Sequence, residues 1–269
     1  MATPTTAGTG APYPPDGSSE ELSPPTGPPI ASASSEAAAP RAKGTARSRR
    51  RARRSTSGRR LFAFDRRLGP SLIAGADEAG RGCLAGPLVA AAVLFDYDSI
   101  TTRELRLLSA LNDSKQHTSE AREALYPLVL RAARRVVVVS RCVRGIDARG
   151  LHKTNLAALR DAVRAVTDGV PGDLLCLTDG FSVPDFGRPQ RAIVDGDATS
   201  AAIAAASIVA KVSRDRFMRQ HAETQHPGWS FAEHVGYSTP THREAIQRLG
   251  VSPLHRMSFQ SLAYQQLAL

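Results

Sequence analysis

The chain contains the stretch Ser71-Leu72-Ile73-Ala74-Gly75-Ala76-Asp77-Glu78-Ala79-Gly80-Arg81-Gly82, in which an apolar run leads into two acids and a glycine-rich turn. A short apolar run bounded by a turn is typical of a buried β-strand. Acids at the end of such a strand often belong to a binding site, although acids before glycine are also common in ordinary turns. The stretch therefore predicts a strand over Ser71–Ala76 with a candidate site at Asp77 and Glu78.

Four more strands are indicated by short runs that are apolar or rich in β-branched residues: Pro87–Phe95, Arg135–Ser140, Asp173–Thr178 and Arg191–Val194. Helical spacing of apolar residues marks four other segments: Ser119–Ala133, Leu151–Val166, Thr199–Gln220 and Thr241–Leu249. Three strands come first, and strands then alternate with helices, which is typical of a mixed sheet covered by helices. The sequence therefore predicts an α/β fold, with a mixed five-stranded sheet flanked by helices and a small C-terminal helical region.

The first sixty residues differ in composition from the rest of the chain. Residues 1–40 are mostly Ala, Pro, Thr, Ser and Gly, which supply too little apolar surface to offset the entropy of ordering. Residues 41–60 carry nine Arg and one Lys, so that with the four acids of residues 1–40 this part supplies 10 − 4 = +6 of the net charge of +10. We predict a disordered extension over 1–60, an α/β domain over 61–222 and a C-terminal helical region over 223–269; the family resemblance described below implies catalysis in the second and substrate binding in the third. The arginine run is either a solvated charge run or a tether to phosphates.

The cysteines and the hydropathy of the chain limit its environment. Cys83, Cys142 and Cys176 are an odd number and lack the spacing of a zinc site or a disulfide framework, so a reducing cytoplasm fits best. No secretory signal is apparent, and no apolar run approaches the roughly 20 residues that cross a bilayer. We expect a soluble cytoplasmic protein with no membrane partner. Protein partners stay open, and a monomer is expected.

A second candidate acid repeats the arrangement of the first pair. Asp179 follows the apolar run Asp173–Thr178 and precedes a glycine. An Asp-Gly pair after a strand is also an ordinary turn. Two such strand ends in one sheet could converge on one point, which would bring Asp179 close to Asp77 and Glu78.

A third candidate, Asp215, is indicated by helical periodicity. With Ser207 at zero on the projection of Thr199–Gln220, the apolar residues fall between about 60° and 160°, and Asp215 falls near 80°. Lys211 lies at about 40°, along the edge of that arc. A carboxylate facing a buried surface costs several kcal/mol unless a cation compensates it. Either a metal ion or an ion pair with a basic residue of the same helix, Lys211 above all, would do so.

The kinds of ligand present favour a particular class of metal. Four carboxylates without cysteine, and without a paired-histidine motif, select hard cations such as Mg²⁺ or Mn²⁺ over zinc. Ions held in this way activate water and stabilise the leaving oxygen in phosphodiester hydrolysis. The residues themselves therefore indicate a metal-dependent phosphodiester hydrolase.

The chain also resembles the ribonuclease HII family at several separated places that follow the family's order, over about residues 71–260. The matching segments are Asp77-Glu78-Ala79-Gly80-Arg81-Gly82, Ala85–Val89, Leu111-Asn112-Asp113-Ser114-Lys115, Gly150–Leu156, Asp179-Gly180, Ala205–Arg216, His234-Val235-Gly236-Tyr237-Ser238-Thr239 and His255–Phe259. Any one of them could arise by chance, but their common order and spacing could hardly do so.

This resemblance implies an RNase H-like fold with four metal ligands, which are Asp77, Glu78, Asp179 and Asp215. It also implies that the turn Gly80-Arg81-Gly82 contacts the ribonucleotide at the cleavage point and that Tyr237 supports recognition of an RNA-to-DNA junction. Ser207 and Lys211 complete the substrate-binding candidates, and Lys115 is a weaker one. The implied cofactor is Mn²⁺ or Mg²⁺, and the implied partners are RNA–DNA hybrid and duplex DNA that contains ribonucleotides.

Some positions depart from the family pattern. Cys83 stands where the family often has proline or another small residue, and Ser238 replaces a frequent glycine after the tyrosine. A second Asp-Gly pair, at Asp195, is an alternative candidate for the third metal ligand. We prefer Asp179 because it ends the longer apolar strand and holds the family position. We expect Asp197 or Thr199 to cap the following helix.

The expected activity is hydrolysis of the RNA strand of hybrids and cutting on the 5′ side of ribonucleotides embedded in DNA, leaving 5′-phosphate and 3′-hydroxyl ends. The cellular task would be the removal of misincorporated ribonucleotides and RNA primers. Competing readings are a ribonuclease HIII or a Holliday-junction resolvase, because shared metal carboxylates do not determine the substrate. A non-catalytic nucleic-acid-binding protein is the alternative from another class.

Overall fold

A computed structural model describes residues 58–111, 117–259 and 264. Its centre is a five-stranded sheet in the order β3-β2-β1-β4-β5. The strands are β1 Leu72–Ala79, β2 Leu88–Asp96, β3 Arg135–Arg141, β4 Leu174–Asp179 and β5 Gln190–Ile193. The first three strands pair antiparallel, whereas β4 is parallel to both β1 and β5. The mixed five-stranded sheet predicted from the sequence is therefore confirmed.

Helices cover both faces of this sheet. They are α1 (58–66), α2 Thr102–Leu107, α3 Ser119–Ala132, α4 Val143–Arg149, α5 Leu151–Thr167, α6 Ala201–Arg216, α7 Glu223–Gln225, α8 Phe231–His234 and α9 Pro240–Leu249. Helix α6 packs on one face with α1 and α3, and α5 packs on the other. Among the described helices, none has both the length and the apolar character needed to cross a membrane.

Every strand and helix predicted from the sequence has a counterpart in the structure, with some differences at the ends. The helix predicted over Thr199–Gln220 is regular only as far as Arg216, and a π-helical turn follows over Phe217–Ala222. We expected Asp197 or Thr199 to cap this helix, but the cap is Ser200. The Ser200 side chain accepts a hydrogen bond from the Ile203 amide. Helices α2 and α4 were not predicted, since α2 buries no residue and α4 is only seven residues long.

The first described helix begins shortly before the boundary predicted at residue 60. Residues 58–60 already belong to α1. Leu61 and Phe62, which follow them in the same helix, are buried in the core and anchor its first turns. The rest of the predicted extension, residues 1–57, lies outside the described residues. So does the segment 112–116, which includes Lys115.

Helix α1 is attached to the beginning of α6 by one buried acid. Asp65 is fully buried, and its Oδ2 accepts hydrogen bonds from the Tyr97 hydroxyl at 2.5 Å and from the Ala202 amide at 2.9 Å. Burial raises the pKa of Asp65 to about 6, although the hydrogen bonds from Tyr97 and Ser200 partly oppose that shift. The folded protein therefore binds a proton at Asp65 more tightly than the unfolded chain does.

We expect acid to stabilise the protein through Asp65, because its pKa is about 6 when folded and 3.8 ordinarily. This contribution is fully present below pH 3.8 and is lost as the pH rises through 6. Relative to Asp65→Asn, the free energy of unfolding should rise by up to about 3 kcal/mol between pH 7 and pH 4. Urea denaturation at several pH values measures the difference, and parallel pH profiles for the two proteins would contradict it.

The sheet and α6 approach each other closely at a glycine. A Cβ atom on Gly75 of β1 would overlap the backbone of Ala202 and Ile203. Small residues on α6 allow this approach, since all five alanines among Ala201–Ala206 are fully buried. The contact fixes the distance between β1 and α6, which carry five of the ten candidate site residues: Asp77, Glu78, Ser207, Lys211 and Asp215.

Gly75→Ala should destabilise the protein by about 3 kcal/mol, the upper end of the usual cost of overpacking a core. The matched control is Gly82→Ala, where an added Cβ would meet no atom within 4 Å. That change should stay within about 0.5 kcal/mol of the parent. Urea denaturation of both variants measures the two effects. A Gly75→Ala protein as stable as Gly82→Ala would show that the helix can move away from the sheet.

Candidate active site

Three acids meet where two parallel strands end. Asp77 and Glu78 lie near the end of β1, and Asp179 is the last residue of β4. The last paired residues of the two strands are Ala76 and Thr178. The residues that follow them, Asp77 and Asp179, therefore lie side by side on neighbouring strands. The convergence expected from the sequence is thus found at one edge of the sheet.

Helix α6 and two loops complete a cavity of about 280 Å³ over these acids. Its lining consists of Asp77, Glu78, Ala79, Gly80, Arg81, Arg122, Asp179, Ser207, Lys211 and Tyr237. Eight of the ten predicted site residues are therefore together in one cavity. The other two, Gly82 and Asp215, are not part of the lining: Gly82 is exposed, and Asp215 lies behind Lys211.

Asp77 and Glu78 are held in an environment that disfavours their charge. Burial raises the pKa of Asp77 well above its usual value, and the charges of Glu78 and Asp179 raise it further, while a hydrogen bond with Ser207 opposes the shift. Burial also raises the pKa of Glu78, against the charge of Arg81, whose Nη1 lies 3.2 Å from Glu78 Oε1. These carboxylates are thus destabilised as anions and lack an adequate counter-charge.

Asp215 has a different environment. It is buried, as its place on the apolar arc predicted, and its Oδ1 accepts a hydrogen bond from Lys211 Nζ at 2.7 Å. Arg122 Nη2 lies 3.9 Å from its other carboxylate oxygen. The ion pair that was one of the two readings of Asp215 is therefore present in the structure.

The donors present fit a hard divalent cation. Oε2 of Glu78 is buried and makes no hydrogen bond, and the neighbouring acids offer further oxygen atoms without any cysteine or histidine. Oxygen donors of this kind suit Mg²⁺ or Mn²⁺. Within the described ranges, no three acid, histidine or cysteine side chains are already arranged around one ion position. Binding would therefore require small side-chain movements, including release of Asp215 from Lys211.

The Gly80-Arg81-Gly82 turn has the conformation that its glycines allow. Gly80 has a φ of +93°, and a Cβ there would overlap the Arg214 side chain. Gly82 has open space around it. Arg81 is partly exposed and lies over the ring of Phe181, 5.1 Å from its centroid. Backbone and guanidinium groups of the turn are thus available at the rim of the cavity.

Tyr237 closes the opposite side of the cavity. Its ring is 40% exposed, and Lys211 Nζ lies 5.0 Å from the ring centroid. Burial raises the pKa of Tyr237, and its hydroxyl contacts Cys83, which is fully buried. The departure at Cys83 therefore places a thiol beside the tyrosine.

Three residues near the acids were not found by reasoning from the sequence. Arg122 of α3 lines the cavity, Asn155 of α5 is fully buried beside Glu78, and Phe181 packs against Arg81. The Asn155 side chain beside Glu78 lowers the pKa of that carboxyl. Asn155 could have been recognised as a polar residue on the apolar face of its helix, the criterion that found Asp215. No such signal marks Arg122 or Phe181, because both follow from tertiary contacts.

Asp195 lies outside the cavity lining. It is exposed and adopts a left-handed conformation with a φ of +51°. The neighbouring Gly196 amide donates a hydrogen bond to Asp179 Oδ1 at 2.7 Å. The loop that carries Asp195 therefore orients Asp179 through its backbone.

Comparison with known proteins agrees with this architecture. The family model described as Ribonuclease HII matches residues 74–262. The Ribonuclease HII of Mycobacteroides abscessus is 47% identical over 194 residues, which are 72% of this chain and 79% of that protein. The fold is similar to that of ribonuclease H2 from Pyrococcus horikoshii OT3, with a TM-score of 0.58, 24% identity and coverage of 73% of this chain and 96% of that chain. It is also similar to Bst-RNase HIII in complex with Mn²⁺, with a TM-score of 0.63, 19% identity and coverage of 76% and 71%.

We expect the strand-end acids to determine cation binding in the absence of nucleic acid. Asp179→Asn removes a charge and a donor at the cavity, so Mn²⁺ binding measured by titration calorimetry should weaken by at least about tenfold. Asp195→Asn is the matched control, since the same change is made on an exposed acid of the adjacent loop, and its Mn²⁺ affinity should equal that of the parent. Weaker binding by Asp195→Asn alone would show that the wrong acid was chosen.

Proposed function

Because the chain belongs to the ribonuclease HII family, we propose that it cuts on the 5′ side of ribonucleotides embedded in duplex DNA, leaving 5′-phosphate and 3′-hydroxyl ends. Family membership makes the protein an RNase H-type hydrolase that acts on the RNA strand of RNA–DNA hybrids. The finer specificity would suit it to removing misincorporated ribonucleotides and RNA primers.

The observation that carries this proposal is the composition of the cavity. Three acids, the buried Asp77 and the partly buried Glu78 and Asp179, line it together with three cationic side chains, Arg81, Arg122 and Lys211. The acids suit a divalent cation, and the cations suit the phosphates of a nucleic-acid strand. A cavity with both features fits a phosphodiester whose negative charge increases during hydrolysis.

Asp77, Glu78 and Asp179 would hold the ion, with Asp215 joining them after it leaves Lys211. When bound, Mg²⁺ or Mn²⁺ supplies a water activated for attack and stabilisation of the leaving oxygen. Ser207 donates a hydrogen bond to Asp77 and so orients that carboxylate. Lys211, once free of Asp215, is positioned to bind a phosphate oxygen.

The turn and the tyrosine would divide the recognition of the junction. Gly80 and Gly82 bring backbone groups close to a ribose without an intervening Cβ, and the 2′-hydroxyl is the group that distinguishes RNA from DNA. Arg81 would bridge neighbouring phosphates. The exposed ring of Tyr237, beside the next sugar, would accept a deoxyribose and crowd a 2′-hydroxyl.

Neither rival nuclease accounts for the chain as well. Similarity to Bst-RNase HIII is at the level of the fold, at 19% identity, whereas identity to a Ribonuclease HII is 47%. A Holliday-junction resolvase would lack the linked segments at Gly80-Arg81-Gly82 and Tyr237. A non-catalytic binding protein would have no need of all four acids.

The remaining assignments stay part of the same proposal. The domain division, with catalysis in 61–222 and substrate binding in 223–269, is supported by the location of Tyr237 in the second part. A cytoplasmic location is supported by Cys83, Cys142 and Cys176, which are all free thiols. We expect the protein to act as a monomer on RNA–DNA hybrid and on duplex DNA with embedded ribonucleotides.

The test is cleavage of a DNA duplex that contains one ribonucleotide, in Mg²⁺ or Mn²⁺. The parent should nick that strand so that the ribonucleotide remains at the 5′ end of the downstream product, and Asp77→Asn should reduce the rate by at least about a hundredfold. Labelled products resolved on sequencing gels give the position of the cut and the chemistry of both ends.

An all-DNA duplex of the same sequence is the substrate control and should stay intact. Asp195→Asn is the protein control and should cleave like the parent. Products ending in a 2′,3′-cyclic phosphate would show that the ribose hydroxyl is the nucleophile, and duplex binding without nicking would exclude the enzymatic function.

A further inference from the structure

The backbone that leads to Tyr237 is strained. Val235 has a φ of +45° and Gly236 a φ of +85°, so two consecutive residues are in the left-handed region. That region is rare for a β-branched residue such as valine, which adopts it only when surrounding contacts require it. Some part of the structure must therefore hold residues 235–237 in place.

Buried side chains bind the polar backbone groups of this segment. Arg214 Nη1 donates to the Val235 carbonyl at 2.9 Å, and the Gly236 amide donates to His234 Nδ1 at 3.1 Å. The Tyr237 carbonyl lies 2.8 Å from His242 Nδ1. Two of these three partners are histidines, whose ability to donate or accept depends on the tautomer.

The contacts assign one tautomer to each of three histidines. His242 must carry its proton on Nδ1, since a carbonyl can only accept, and its Nε2 therefore accepts from His255 Nε2 at 3.0 Å. His255 is then unprotonated at Nδ1, which accepts a hydrogen bond from the Ser252 amide at 2.8 Å. His234 accepts at Nδ1 and so donates from Nε2 to the Trp229 carbonyl at 2.7 Å.

All three rings are neutral and closely packed. His234, His242 and His255 are 5%, 0% and 2% exposed, and the rings of His234 and His242 stack with centroids 4.0 Å apart. Burial lowers the pKa of His242 to about 3 and that of His255 to about 4. The arrangement therefore keeps one hydrogen-bonding pattern at neutral pH.

We propose that His234, His242 and His255 are positioning residues that hold the strained backbone of residues 235–237 and thereby set the place of Tyr237 at the cavity. The expected effect of the three histidines on catalysis rests on the proposed function, in which Tyr237 recognises the deoxynucleotide side of the junction. None of the three lines the cavity, so they act through the backbone of Tyr237.

The first test needs no substrate. Two-bond ¹⁵N–¹H correlation spectra of the full-length protein at pH 7.5 should show His242 as the Nδ1–H tautomer and His234 and His255 as Nε2–H tautomers. A His242 protonated on Nε2, or one that averages between tautomers, would overturn the proposal even if the enzyme were fully active. The tautomers as assigned would support the proposal even if the enzyme had another substrate.

The second test compares two substitutions at one position. His242→Asn retains an amide donor near the place of Nδ1, whereas His242→Phe retains a ring but no donor, and both lose the acceptor for His255. His242→Phe should lower kcat/KM on a duplex with one ribonucleotide by about tenfold or more, as a small misplacement of a binding group can. His242→Asn should recover most of that loss, and cleavage of a continuous RNA–DNA hybrid should change less. The matched control is His221→Phe, the same change at an exposed histidine.

A double-mutant cycle separates positioning from general destabilisation. If His242 acts through Tyr237, His242→Phe should cause little further loss in a Tyr237→Ala background. Equal losses in the two backgrounds, at temperatures below the melting of every variant, would overturn the proposal. If His242→Phe does not fold, the comparison of His242→Asn with the parent in both backgrounds serves the same purpose.

Discussion

One buried guanidinium joins the parts from which the active site is built. Arg214 of α6 is fully buried and donates hydrogen bonds to the carbonyls of Pro87, Ala85 and Val235. Two of these carbonyls follow the Gly80-Arg81-Gly82 turn, and the third precedes Tyr237. Arginine suits this place because its planar group offers donors in several fixed directions. Arg214 therefore joins the turn to the tyrosine segment, together with the Leu84 and Ala85 amides, which donate to the Gly236 carbonyl.

This constraint also explains the glycines around the site. A Cβ on Gly80 would overlap the Arg214 side chain, while a Cβ on Gly86 or Gly236 would lie 3.2 Å from Arg214 Nη2 and would overlap the Met218 sulfur or the Ala85 carbonyl, respectively; all three glycines have positive φ. Lys211 and Asp215 precede and follow Arg214 on the same helix, so the helix that fixes the loops also presents a cation and an acid to the cavity. Its close packing against β1 at Gly75 gives those groups a fixed height above the strand-end acids.

The sheet, the main helices and four acids could be predicted because each depends on a local pattern. Buried strands appear as short apolar runs, and Asp215 interrupts an apolar arc. Helix α2 could not be predicted, since it buries no residue and leaves no apolar period. The positions of Arg122 and Phe181 near the acids depend on tertiary distances, whereas the pairing of Asp215 with Lys211 follows from their spacing on one helix. The histidine tautomers likewise require the positions of atoms that are far apart in the sequence.

Arg256 has a consequence for how the protein is made. Its guanidinium donates to the carbonyls of Arg81 and Gly86, which precede it by 175 and 170 residues, and a β-bridge joins Ala85 to His255. Contacts between such distant residues form late, because a large loop must close first. During synthesis the carboxylates of β1 and β4 leave the ribosome well before Arg256 does. The backbone of residues 81–86 is therefore held in its final arrangement only after the segment that carries His255 and Arg256 has docked.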